Sequence, residues 1–137
     1  MGTKELIRKA FEARRNSYAP YSKFKVGAAL EGADGTIYTG CNIENAAYTP
    51  CNCAERTAFF KAVSEGKREF CQIAIVGGYE EGDKVSGYAA PCGVCRQVMM
   101  EFCSPETFRV IVAKSEEEYK EFTVAELLPL GFGPENL

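Results

Sequence analysis

The chain has 137 residues, 46% of them hydrophobic and 26% charged, a balance that fits one domain spanning 1–137 with a real core. Its net charge of −3 lacks the basic excess that a phosphate backbone requires, so no nucleic-acid partner is expected. No apolar run reaches the ~18 residues of a membrane span. The opening MGTKELIRKAFEARR mixes both charge signs without an apolar segment, so neither a membrane partner nor a secretory leader is expected and the cytoplasm is the expected compartment.

The spacing of Leu6, Ile7, Ala10, Phe11 and Arg14 predicts an amphipathic helix over 3–17, with Thr3 as N-cap and Ala19-Pro20 as its stop. Phe24 to Leu30 and Ile37 to Ile43 read as strands joined through Gly32-Ala33-Asp34-Gly35, a hairpin turn. A second helix is expected over 53–65, with Ala54, Ala58, Phe59, Ala62 and Val63 on one side and Gly66 at its end. Phe70 to Gly77 contains the apolar run Ile73-Ala74-Ile75-Val76, suited to a strand covered on both faces. Gly78 to Ala90 reads as a loop, and a third helix is expected from about Cys92 to Cys103, closed by Ser104-Pro105. Phe108 to Ala113 is a second buried strand, Tyr119 to Thr123 an edge strand, and Val124 to Leu128 a short helix. A hairpin followed by β-α-β units implies an α/β fold: a three-layer α/β/α sandwich around a mixed sheet of about five strands.

The chain holds seven cysteines and no histidine. An odd count without a leader argues against a disulfide framework. Cys41, Cys71 and Cys103 border apolar stretches and read as small buried hydrophobes. A catalytic metal in this chain has to be held by sulfur or carboxylate.

Cys53-Ala54-Glu55 and Pro91-Cys92-Gly93-Val94-Cys95 supply such ligands, each where a helix begins. Free N–H groups and the positive dipole end at a helix start favour thiolate. Two helix starts at the carboxyl edge of one sheet can aim at one ion, so Cys53, Cys92 and Cys95 are the expected ligands of one Zn²⁺ per chain. Three protein ligands leave a fourth position for water, the requirement of a hydrolytic centre. Three thiolates on one Zn²⁺ carry a net charge of about −1, which Arg56 can offset by hydrogen-bonding to sulfur. A closed four-cysteine site with Cys51 and a redox role for Cys92 and Cys95 are the competing readings. The first has the wrong spacing for a zinc ribbon, and the second leaves Cys53-Ala54-Glu55 without a purpose.

These motifs, together with Tyr18-Ala-Pro-Tyr-Ser-Lys-Phe24, Val26-Gly-Ala-Ala, Gly40-Cys-Asn-Ile-Glu44-Asn-Ala-Ala-Tyr48, Cys95-Arg-Gln and the tail Leu127-Leu-Pro-Leu-Gly-Phe132-Gly-Pro, run through nearly the whole chain. In them the chain resembles the small cytidine deaminases of pyrimidine salvage, of the homotetrameric three-cysteine type. The resemblance implies hydrolysis of cytidine and 2′-deoxycytidine to the uracil nucleosides and ammonia. Zinc activates water for attack on C4, and Glu55 carries protons to ring N3 and to the departing amino group. It further implies that Asn42 and Glu44, expected to share one face at a strand end, read the ribose, and that Phe24 stacks on the base. Backbone groups of Ala46 and Ala54 are expected to bond the base, and Tyr48 and Phe132 to reach a neighbouring subunit's substrate. A blasticidin-S-type deaminase and a non-catalytic zinc-stabilised binding domain are the alternatives.

Overall fold

The structure is a computed structural model that describes all 137 residues. Its elements run α1 (Thr3–Arg14), β1 (Lys25–Gly32), β2 (Ile37–Cys41), α2 (Ala54–Ser64), β3 (Phe70–Gly78), α3 (Gly93–Phe102), β4 (Arg109–Ala113), β5 (Tyr119–Thr123), α4 (Val124–Leu127) and a 3-10 turn (Pro134–Asn136). The sheet order is β2-β1-β3-β4-β5, with only β3 and β4 parallel.

Alternation along the strands builds two separate cores. Ala28, Leu30, Ile73, Ile75, Val110 and Val112 face α2 and α3, whereas Ala29, Ala74, Val76, Ile111 and Ala113 face α1. Helices on both faces make the expected three-layer sandwich. Phe59 of α2 lies edge-on to Phe70 at 5.3 Å and beside Phe108 at 6.1 Å. Truncating such a fully buried ring costs about 3–5 kcal/mol, so Phe59 is a principal anchor of α2.

Two glycines permit the closest contacts between layers. A Cβ at Gly40 would fall 2.4 Å from the Ala54 carbonyl oxygen of α2, and one at Gly27 would fall 2.1 Å from the Ala10 carbonyl oxygen of α1. Hydrogen alone fits at either place. The start of α2 is thereby seated directly on β2.

Several element ends differ from the sequence expectation. The cap of α1 is Gly2, with no side-chain bond, and Thr3 is already helical. The helix stops at Arg14 because Arg15, Asn16 and Ser17 donate to residues three back, a tightening turn. Strand β2 ends at Cys41, since the Asn42 side chain takes over the ladder: its Oδ1 accepts from Val26 N at 2.9 Å. Asn42 and Glu44 therefore lie in a connection beyond the strand, not along it. Cys103 is buried as expected, but Cys71 is exposed and Cys41 half-buried. Cys71 belongs to the expected strand but is its second residue, exposed at the end of the sheet.

Candidate active site

Cys53 is the N-cap of α2 and Cys92 the N-cap of α3, with Cys95 in the first turn of α3. The Sγ atoms of Cys53, Cys92 and Cys95 all lie within 4.8 Å of one another. Three sulfurs bound tetrahedrally to zinc at about 2.3 Å stand about 3.8 Å apart, and the Cys53–Cys92 separation is 3.8 Å. Three soft sulfur donors at that spacing fit a zinc ion, and Cys51 stands outside the cluster. Its Sγ accepts instead from the Asn45 backbone N at 3.1 Å.

Local bonds explain why these ends converge. The Thr57 hydroxyl is 3.1 Å from both the Cys41 and the Cys53 carbonyl oxygens, tying the start of α2 to the end of β2. Arg96 donates to the carbonyls of Pro91 at 2.7 Å and Leu127 at 2.6 Å, fixing the turn that delivers Cys92. Arg56 donates through Nη2 to Cys53 Sγ at 3.2 Å, while its Nε is buried without a partner. The Cys53 thiol is held down to about 5, because the Cys95 thiol donates to it and Arg56 adds its charge. Cys95, the donor in that bond and itself buried, is pushed up.

Glu55 is 4% exposed, and its carboxylate accepts from its own backbone N–H. Burial first, and the neighbouring Cys53 sulfur second, push its carboxyl up to about 7. A dry carboxyl that exchanges its proton near neutrality suits transfer in both directions.

In front of this group opens a cleft of about 790 Å³, within the usual range for small-molecule sites. Phe24, Asn42, Glu44, Tyr48, Cys53, Ala54, Glu55, Arg56 and Cys92 all line it. Ala46 and Phe132 do not line the cleft of their own chain. Phe132 is 58% exposed, beside α3, where its carbonyl accepts from Gln97. Asn52, Tyr88, Ala89 and Ala90 also line the cleft and were not legible in the sequence. The last three sit in the 78–90 loop, whose composition marks only a loop. Gly77 was the available clue, since its missing Cβ leaves room for Ala89 at 2.7 Å.

The polar wall can be counted atom by atom. Asn42 Oδ1 accepts from Ser17 Oγ and Val26 N, and Nδ2 donates one hydrogen to Phe24 O at 2.7 Å. One N–H remains. Glu44 accepts from the backbone N of Tyr21 and of Ser22 and from the Ser22 hydroxyl, leaving about one acceptor site of four.

The sequence profile for the "Cytidine and deoxycytidylate deaminase zinc-binding region" matches residues 2–124. A zinc-binding deaminase domain is thus the class that fold and site define, and the chain belongs to this family. It is 51% identical to a cytidine deaminase of Sporosarcina psychrophila, over 100% of this chain and 96% of that one. With a cytidine deaminase of Halalkalibacterium halodurans it shares 46% identity, over 100% of this chain and 98% of the other. Among solved structures, the cytidine deaminase of Burkholderia pseudomallei superposes with a TM-score of 0.87 at 47% identity, covering 96% of this chain and 100% of that one.

Proposed function

We propose that this protein is an enzyme that hydrolyses cytidine and 2′-deoxycytidine to uridine and 2′-deoxyuridine with release of ammonia, using one zinc ion per chain. The observation that carries the reading is the meeting of three thiols with the buried Glu55 at one cleft. Cys53, Cys92 and Cys95 would hold the zinc. When bound, zinc supplies Lewis acidity that makes water nucleophilic near neutral pH.

Glu55 accepts the proton of the attacking water and delivers it to N3 of the cytosine ring as C4 is attacked. It then carries a second proton to the amino nitrogen, which leaves as ammonia. Burial matters at both stages, because a solvated carboxyl would hold its charge and release no proton near pH 7. Arg56 lowers the negative charge on the Cys53 sulfur, which keeps the metal a stronger Lewis acid. Backbone atoms of Ala54, at the start of α2, bond the base edge.

Asn42 and Glu44 make a complementary pair. The remaining Asn42 N–H donates to a sugar hydroxyl oxygen, and the remaining Glu44 acceptor site accepts a hydrogen bond from that hydroxyl. A group that both accepts and donates is thereby selected. The Glu44 charge repels phosphate, which favours a nucleoside over a nucleotide. Phe24 supplies the apolar wall for the base. Exposed Phe132 and Tyr48, with Ala46 outside its own cleft, support substrate contact from neighbouring copies in a homotetramer. We place the working protein, with residues 1–137 as one domain in pyrimidine salvage, in the cytoplasm.

The test is conversion of cytidine followed by absorbance, before chelation, after it, and after zinc is restored. Activity lost and then regained with zinc is expected. Cytidine left unchanged by zinc-loaded protein would overturn the reading.

A further inference from the structure

Arg14, the last residue of α1, is 4% exposed, and none of its guanidinium hydrogen bonds goes to a carboxylate. All its bonds go to backbone carbonyls. Nε donates to Lys25 O at 2.9 Å, Nη1 to Gly82 O at 3.2 Å, and Nη2 to Gly78 O at 2.8 Å and to Glu80 O. A buried cation is costly unless its donors are met, so four acceptors converging on it make a rigid junction. Gly27 makes room for it, because a Cβ there would stand 2.8 Å from Arg14 Cβ.

One of the tied carbonyls adjoins a residue of the cleft lining, Phe24. Lys25 follows Phe24 directly, and Gly78 directly precedes Tyr79. The Phe24 and Tyr79 rings meet edge to face, with centroids 5.0 Å apart at 79°. From Glu80 the ordering continues: its Oε2 accepts from Ser86 N at 2.9 Å, and Val85 N donates to Lys114 O at 2.9 Å. That path leads into Tyr88, Ala89 and Ala90, which also line the cleft.

We propose that Arg14 is a positioning residue for substrate: by joining the carbonyls of Lys25, Gly78, Glu80 and Gly82, it fixes Phe24 against Tyr79 and sets how tightly the cleft holds the nucleoside base. The inference rests on the deaminase reading and adds to it a residue that touches neither substrate nor metal. Because Arg14 belongs to α1, on the opposite face of the sheet from the helices that carry Glu55 and the thiols, its loss weakens binding and spares the proton transfers.

The experiment is a double-mutant cycle on the full chain with cytidine. Arg14→Gln is expected to raise KM about 10-fold while kcat stays within about 3-fold and zinc content is unchanged. Arg14→Lys, which keeps the charge and part of the donor set, falls between. Phe24→Ala raises KM by itself, and adding Arg14→Gln to it raises KM little further, because both act through one wall. Should Arg14→Gln fail to fold, Arg14→Lys carries the same cycle. A wild-type KM in the Arg14 variants, or KM effects that multiply with Phe24→Ala, would overturn the proposal while leaving deamination intact. Wild-type protein inert toward cytidine would overturn both.

Discussion

Replacing Gly40 with alanine tests whether the layer contact under α2 sets the geometry of the thiol cluster. The new Cβ would lie 2.4 Å from Ala54 O, 2.6 Å from Ala58 N and 3.0 Å from Thr57 Cβ, whereas ordinary contact starts at 3.4 Å. The first two atoms are helix backbone and cannot rotate aside, so the first turn of α2 has to retreat by about 1 Å. That turn carries Cys53, Glu55 and Arg56, while Cys92 and Cys95 stay with α3. Metal–ligand distances tolerate only about 0.2 Å, so the shift pulls Cys53 out of register. Gly40→Ala is expected to cost about 1–3 kcal/mol of stability, to weaken zinc retention, and to lower kcat/KM about 100-fold. Thermal unfolding, metal analysis and the cytidine assay read these three effects. Gly87→Ala is the control, since nothing lies within 4 Å of its Cβ and no change is expected. If Gly40→Ala matches Gly87→Ala in Tm, zinc content and rate, β2 does not position α2 as argued.

Further variants probe single contacts. Cys51→Ala should retain one zinc per chain, because Cys51 bonds to Asn45 and stands outside the thiol cluster; zinc loss on metal analysis would revive a four-cysteine site. Arg56→Gln removes the guanidinium from Cys53 Sγ and should slow turnover about 10-fold without abolishing it. Unchanged kinetics and metal affinity together would dismiss the charge-balancing role.

Element order, the hairpin and both cores were legible because apolar spacing and turn residues act locally, as in Leu6 to Phe11 and in Gly32 to Gly35. The thiol cluster was legible for a different reason: Cys53 and Cys92 both stand at helix starts, and the topology brings such starts to one edge. What the sequence hid depends on side chains that replace backbone partners. Asn42 ends β2 by supplying its own Oδ1 to Val26, and Arg14 looks like one more amphipathic helix residue until its four carbonyl partners are seen. Cys71 shows the limit of apolar context, which marks a strand but not the exposure of its first residues. The contribution of Tyr88 to Ala90 follows from loop closure over Gly77, a long-range contact with no local pattern.

Glu55 stands at the centre of this account, and Glu55→Gln keeps its shape while removing its proton chemistry. Turnover of cytidine, measured beside zinc content and thermal unfolding on the same preparation, is the direct test. One zinc per chain, an intact fold and a fall in kcat on the order of 10³ or more are expected. Near wild-type turnover in that zinc-loaded variant would contradict the assignment of the proton carrier.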